Sequence, residues 1–257
     1  MGHDLLRTVH VILPAYNEEE SLPPLLGRLV GFSEKNQQNL IAWIIDDGSI
    51  DSTAEIARRG HPGLDVKLVT HPKNLGLGQA LHSGLREVVR VAGSDDVAVV
   101  MDADDTHDVE LIASMLEEID KGADLVIGSR FVNGGDDRTA PLFRRILSRG
   151  AALVFSSFMP VRGIQDFTSG YRAYRTDLLS RAVNHWGERI IEERGFACMV
   201  ELLLKLRFCN PVIMEVPLVL RYDRKQGASK LKVVRTIFQY LRLAFRDRLS
   251  PPPYREL

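Results

Sequence analysis

Four aspartates crowd into one short stretch, Asp102-Ala103-Asp104-Asp105-Thr106-His107-Asp108, directly after the apolar run Val97-Ala98-Val99-Val100-Met101. Neighbouring carboxylates repel one another unless a cation or a donor-rich ligand sits among them. A continuous apolar run of this length reads as a parallel strand buried on both faces, so the acids land at its C-terminal tip. In open α/β sheets that edge is where ligands bind. Asp102 and Asp104 project to the same side of an extended backbone and can reach one hard metal ion. The opposing reading is a solvated loop that caps the next helix. With 19 Asp in 257 residues, chance alone gives roughly one Asp-x-Asp pair. Position after a buried strand, and not the motif by itself, carries the metal reading.

Two other strand-like runs end the same way. The first stops in Pro14-Ala15-Tyr16-Asn17-Glu18-Glu19, where a loop can hold a nucleotide base against Tyr16 while Glu18 accepts from ribose hydroxyls. Acidic residues are equally at home at a helix N-terminus. The second stops in Asp46-Asp47-Gly48-Ser49-Ile50-Asp51-Ser52-Thr53. A carboxylate there can accept an N–H from a base edge, Gly48 permits close approach, and Ser52 is the expected cap of the next helix. Lys73-Asn74-Leu75-Gly76-Leu77-Gly78 lacks both the dinucleotide-binding spacing and the Gly-Lys-Ser/Thr ending of a P-loop.

The elements that must position these tips alternate. Strands are expected over 9–13, 41–45, 66–70, 97–101 and 124–128. Helices are expected from Leu22 on (Leu22, Leu25, Leu26 and Leu29 on one face), over 52–59, over 78–91 and over 108–121. Such βαβ alternation implies an α/β fold, a mostly parallel sheet with helices on both faces. The half after about residue 131 reads as less regular. No internal repeat or low-complexity linker divides the chain.

Composition narrows the classes. The length suits one substantial core. A net charge of −1 argues against general nucleic-acid binding, and 45% hydrophobic residues is ordinary for a globular protein. No stretch has the length of a membrane span, and Met1-Gly2-His3-Asp4 does not begin a signal peptide. Cys198 and Cys209 lack metal or redox spacing, so they are expected to be packing residues in a reduced, cytoplasmic setting. His107 is expected at a surface helix start, and His71 and His82 have no metal-site company in the sequence. Trp43 and Trp186 are expected in the core or on an acceptor wall. Lys and Arg concentrate between residues 221 and 248, which suggests an anionic surface or ligand nearby.

Taken together, the three tips resemble the nucleotide-sugar site of inverting family 2 glycosyltransferases with the GT-A (Rossmann-like) fold. Gly128-Ser129-Arg130-Phe131-Val132-Asn133-Gly134-Gly135, Asp166-Phe167-Thr168-Ser169-Gly170-Tyr171-Arg172 and Arg224-Lys225-Gln226-Gly227-Ala228-Ser229-Lys230-Leu231 resemble the polyprenyl-phosphate (dolichyl-phosphate) mannosyl- and glucosyltransferases of that family. The likeness spans roughly residues 9–232. It implies a GT-A domain over 1–232, with a donor half at about 9–131 and an acceptor half at about 132–232, and an amphipathic helix and tail over 233–257. It assigns Pro14, Tyr16, Glu18, Ile45 and Asp47 to the nucleoside and sets Ala103 beside the ribose. Asp102 and Asp104 would bind the donor diphosphate through Mg²⁺ or Mn²⁺. Arg130, Arg224 and Lys230 would face the diphosphate and the acceptor's phosphate. Thr106 stands where the family often has Gln, so the third metal contact there is a hydroxyl or a water.

The implied activity is metal-dependent, inverting transfer of a hexose from a nucleotide diphosphate sugar, GDP-mannose first and UDP-glucose second, to a polyprenyl or dolichyl phosphate. A phosphate acceptor is already nucleophilic. A hydroxyl acceptor on a glycan would need a base, for which Asp166 is the candidate, unless Asp166 is a structural carboxylate of the Thr168-Ser169-Gly170 turn. A third reading is a non-catalytic nucleotide-sugar-binding scaffold. Two basic amphipathic segments, over 143–159 and 233–245, suit either an anionic lipid interface or cover for the sheet. Peripheral contact with the cytosolic face of a membrane, with or without a membrane-anchoring partner subunit, is the expectation.

Overall fold

The computed structural model describes residues 7–136 and 164–221, with residues 142, 145, 146, 149, 150, 236 and 238–243. In chain order the elements are β1 (Thr8–Ala15), α1 (Leu22–Asn36), β2 (Asn39–Asp46), α2 (Thr53–Arg59), β3 (Asp65–Thr70), α3 (Leu77–Val91), β4 (Val97–Val100) and α4 (Leu111–Asp120). There follow β5 (Leu125–Ser129), β6 (Arg172–Arg175), α5 (Thr176–Trp186), α6 (Cys198–Leu206) and β7 (Ile213–Pro217).

Seven strands form one sheet in the order β3-β2-β1-β4-β6-β5-β7. The pairs β1–β2, β2–β3, β1–β4 and β5–β7 are parallel, and β6 alone is antiparallel to both its neighbours. The mostly parallel α/β sheet expected from the sequence is therefore present. Strand order reverses at β1, whose neighbours are β2 and β4, and this reversal opens the crevice that such sheets use for ligands. Because β1 to β5 run alike, their C-terminal tips share one edge. Antiparallel β6 begins at that edge, which brings the loop ending in Tyr171 there too.

Both faces are covered, which is why the strands read as near-continuous apolar runs. Val9, Val11 and Leu13 pack with Leu22, Leu25, Leu26 and Leu29 of α1 and with Ile112, Met115 and Ile119 of α4. The alternate residues, Ile12 and Ile45, pack on the other face with Leu81, Leu85 and Val88 of α3 and with residues of α5 and α6. Tyr240 and Leu243 belong to this second core. Helix α1 carries Pro in its first turn and ends at left-handed Gln37, where the Gln38 N–H returns to Ser33 O at 3.0 Å.

After residue 131 the described residues include the regular elements β6, α5, α6 and β7. Strand β6 was hidden because its charged Arg172 is wholly buried, its guanidinium donating to Met199 O at 2.7 Å and Phe167 O at 2.8 Å. Helix α4 starts at Leu111, since Asp108 Oδ1 accepts from Glu110 N–H in the preceding turn. Helix α2 is not capped by the Ser52 side chain. Asp51 does that work, accepting from Thr53 N–H at 3.0 Å and Thr53 Oγ1 at 2.6 Å. Both cysteines are free and buried, as expected, and burial pushes the Cys198 thiol up.

Candidate active site

The tips of β1 and β2 are stitched into one rim. Asn17 is left-handed at φ 52°, its N–H donates to Ser49 Oγ at 3.0 Å, and its Oδ1 accepts from Ile50 N–H at 3.0 Å. Glu18 N–H donates to Thr53 Oγ1 at 2.7 Å, Ser52 N–H to Glu19 Oε2 at 3.0 Å, and Asp47 N–H to Ala15 O at 2.8 Å. Asn17 and Asp51 thus commit their side chains to joining or capping loops, which leaves Pro14, Tyr16 and Glu18 half-buried on the rim. Ile45, grouped with them by resemblance, is wholly buried, so at this tip it offers backbone rather than side chain. Ala103 is buried as well.

Asp47 is organised by the protein itself. Its Oδ1 accepts from Leu75 N–H at 2.9 Å and lies 2.7 Å from His71 Nδ1, and its Oδ2 accepts from Gly76 N–H at 2.7 Å. The Lys73–Gly78 turn therefore gives these N–H groups to a carboxylate, not to a phosphate. Gly48 (φ +70°) is required by this turn, because a Cβ there would lie 2.3 Å from Lys73 C. The close approach expected of Gly48 is thus made by the protein's own backbone. Gly78 meets the second half of the chain, and its added Cβ would lie 1.7 Å from Glu193 O.

The acidic tip after β4 is held from several directions. Asp102 N–H donates to His107 Nδ1 at 3.1 Å, and the His107 ring stacks on Tyr171 at 4.7 Å between centroids. His107 is buried, not at a surface helix start, because it fastens this turn to the loop before β6. Thr106 Oγ1 donates to Asp104 Oδ1 at 2.7 Å, and its N–H approaches the same oxygen at 3.2 Å. Thr106 in this geometry orients Asp104. Asp105 takes a left-handed φ of 62° and pairs with Arg28 of α1. Two aspartates at one strand tip suit Mg²⁺ or Mn²⁺, which bind through one or two carboxylates plus substrate phosphates and water. Among the described residues no three His, Cys, Asp or Glu form a metal cage by themselves.

At the β5 tip Arg130 forms a two-pronged pair with Asp166. Its Nε lies 2.7 Å from Oδ2 and its Nη2 2.7 Å from Oδ1, and Nη2 also donates to Thr168 Oγ1 at 2.7 Å. Asp166 is 0% exposed and further accepts N–H bonds from Arg130, Thr168 and Ser169. Burial opposes its charge, but the Arg130 cation and these donors prevail and hold the carboxyl below the usual carboxylate range. Next to it, burial raises Glu215 even though Gln165 and Asp166 N–H groups donate to it. Arg221 N–H donates to Thr106 O at 3.0 Å, which ties the chain after β7 to the acidic tip. Arg224 and Lys230 lie outside the described residues, as do most residues of the two amphipathic segments.

Sequence reading missed His71, His107, Arg28 and Tyr171 as supports of the site. Each is an isolated residue whose partner is distant in sequence. The Asp102–Asp104 tip, the β1–β2 rim and the Arg130–Asp166 pair thus lie together at one sheet edge.

Residues 10–182 match the family described as glycosyl transferase family 2. Over 239 residues the chain is 35% identical to a dolichol-phosphate mannosyltransferase of Pyrococcus furiosus, covering 93% of this chain but only 63% of that protein. It is 33% identical to a polyprenol monophosphomannose synthase of Mycolicibacterium smegmatis, covering 93% of this chain and 88% of that protein. It is 35% identical to an undecaprenyl-phosphate mannosyltransferase of Micrococcus luteus, covering 87% of each. Among solved structures, glucosyl-3-phosphoglycerate synthase of Mycobacterium tuberculosis with Mg²⁺ and uridine diphosphate superposes with a TM-score of 0.64 at 19% identity, over 96% of this chain and 80% of that one.

Proposed function

Since the chain belongs to glycosyl transferase family 2, we propose that it transfers a hexose, with inversion, from a nucleotide diphosphate sugar to a polyprenyl or dolichyl phosphate. GDP-mannose is the first candidate donor and UDP-glucose the second. The named activities of the relatives support the mannosyl and lipid-phosphate parts of this reading. The single observation that carries it is the commitment of Asp166 to Arg130. A carboxylate that is buried, paired with a guanidinium and held below its ordinary range is a poor general base. A hydroxyl acceptor needs a base, whereas an ionised phosphate does not.

In this reading the rim residues Pro14, Tyr16 and Glu18, with Asp47, seat the nucleoside. Asp102 and Asp104 hold Mg²⁺ or Mn²⁺, as the metal-containing structures of the M. tuberculosis enzyme suggest. The cation supplies stabilisation for charge developing on the departing diphosphate. Thr106 keeps Asp104 turned to that task. Arg130, held in place by Asp166, keeps a fixed positive charge beside the phosphates without reorganising during reaction. Arg224 and Lys230 add cationic contacts to donor and acceptor phosphates. Binding both phosphates at one edge brings the nucleophilic oxygen to the anomeric carbon, opposite the leaving diphosphate.

The acceptor reaches the site from a membrane. Leu142 and Ile146, one helical turn apart, are exposed beside Arg145 and Arg149, and Phe238 is 69% exposed on a segment whose Tyr240 and Leu243 are buried. Apolar side chains among arginines suit peripheral contact with an anionic leaflet, here the cytosolic face. Among the described residues no helix is long and apolar enough to cross a membrane. The deciding experiment offers polyprenyl phosphate, polyprenol and an oligosaccharide in parallel with labelled GDP-mannose. Label is expected only with the phosphorylated lipid, and transfer to polyprenol or oligosaccharide alone would overturn the assignment.

A further inference from the structure

We propose that His71 is a positioning residue for donor binding: it holds the Asp47 carboxylate on the Leu75–Gly76 turn and so fixes the floor of the nucleoside subsite. This inference rests on reading the β2 tip as part of a nucleotide-sugar site. His71 is the first residue after β3, and its backbone N–H donates to Asp46 O at 2.9 Å, which carries the sheet ladder into the tip. Its ring is nearly buried and uses both nitrogens. Nδ1 lies 2.7 Å from Asp47 Oδ1, and Nε2 lies 2.9 Å from Ser83 Oγ on α3. An ionised carboxylate only accepts, so Nδ1 is the donor to Asp47, and Nε2 hydrogen-bonds with the Ser83 hydroxyl. The ring is thereby clamped between α3 and the tip.

The consequence lies in the geometry of Asp47. A carboxylate offers about four acceptor positions. Three are filled by Leu75 N–H, Gly76 N–H and His71, which leaves one direction on Oδ2 for an N–H of the ligand. That direction is defined only while the carboxylate plane is held. The turn supplies one N–H to each oxygen, Leu75 to Oδ1 and Gly76 to Oδ2, and the His71 ring is the second partner on Oδ1. Without the His71 donor, Oδ1 has one N–H fewer and the carboxylate can rotate toward its remaining partners. His71 touches neither donor nor acceptor in this account; it acts through Asp47.

The test compares His71→Ala, His71→Asn and Ser83→Ala with the unaltered protein. The Asn amide can place an N–H donor near the position of Nδ1, whereas Ala cannot. Calorimetric titration with GDP and with UDP, both in Mg²⁺, gives the affinity, and the rate with GDP-mannose gives KM and kcat. Losing one hydrogen bond to a buried charged group predicts a Kd and KM raised about tenfold to a hundredfold in His71→Ala, with kcat within about threefold. His71→Asn is expected to return both to within about threefold of the original, and Ser83→Ala to fall between. Amide exchange at Leu75 and Gly76, followed without ligand, is expected to quicken in His71→Ala and recover in His71→Asn. Unchanged affinity and unchanged exchange in His71→Ala would overturn the inference. So would a loss in which kcat falls with KM and Asn restores nothing. If the unaltered protein binds neither nucleotide, the functional reading fails, and the exchange measurement still decides the role of His71.

Discussion

Replacing Asp166 by Asn removes one charge and one acceptor without changing size. The Asn Oδ1 can keep the bonds from Thr168 N–H, Ser169 N–H and Arg130 Nη2. Its Nδ2 then faces Arg130 Nε and Arg130 N–H, now donor against donor where 2.7 Å and 3.2 Å bonds stood. Breaking a buried ion pair by removing one partner costs about 3–5 kcal/mol. Arg130 retains 13% side-chain exposure, so water relieves part of this and the lower end, about 3 kcal/mol, is expected. At about 2–4 °C per kcal/mol for a chain of this size, Tm falls by roughly 6–12 °C. The folded variant also loses the preset guanidinium. A charge-assisted contact to phosphate contributes about 1.5–3 kcal/mol, so kcat/KM with a lipid-phosphate acceptor drops roughly 10- to 150-fold. Scanning calorimetry and initial rates well below Tm read the two effects separately. Unchanged Tm together with unchanged kcat/KM would refute the pairing argument. A variant that keeps phosphate transfer but loses transfer to hydroxyls, along with the acid limb of its pH profile, would make Asp166 a base.

Asp104→Asn is expected to abolish turnover while circular dichroism stays unchanged; full activity with metal present would remove the metal assignment. Thr106→Val takes away the 2.7 Å donor to Asp104; losing about 1 kcal/mol of orientation predicts roughly fivefold more Mn²⁺ for half-maximal rate, read from a metal titration. Gly78→Ala puts a methyl group into Glu193 O, and overpacking of about 1–3 kcal/mol should appear as a lower urea midpoint. His10 is buried, and desolvation outweighs the pull of Asp96 to lower its pKa from 6.5. The unfolded chain therefore takes up the proton first, and stability is lost as pH falls below 6.5. His10→Asn, which keeps an acceptor for Trp43 Nε1–H, should flatten the fall in Tm as pH drops below about 6.5.

The first half of the chain was legible because its rules are local. Apolar runs buried on both faces announce parallel strands, and acids directly after them must lie at the ligand edge of the sheet. The second half obeyed rules that sequence does not display. Arg172 looks solvated in a one-dimensional pattern, yet it donates to two buried carbonyls inside a strand. His71 and His107 looked isolated because Asp47 and Tyr171 lie 24 and 64 residues away from them (71 − 47 and 171 − 107). Thr106 drew notice as a departure from a family pattern; its hydroxyl bond to Asp104 is a geometric fact that spacing alone could not reveal. The two readings of Asp166 stood level in the sequence, which could not show its two-pronged pairing with Arg130.

Metal-dependent transfer to a lipid phosphate is decided by one labelling assay. The full chain is incubated with labelled GDP-mannose or UDP-glucose and polyprenyl phosphate in vesicles, with Mg²⁺, with Mn²⁺ or with chelator. Label is expected in the organic phase, dependent on cation and on the phosphorylated lipid, and lost in Asp104→Asn. Label confined to water-soluble products, or lipid-linked label undiminished by chelator, would contradict it.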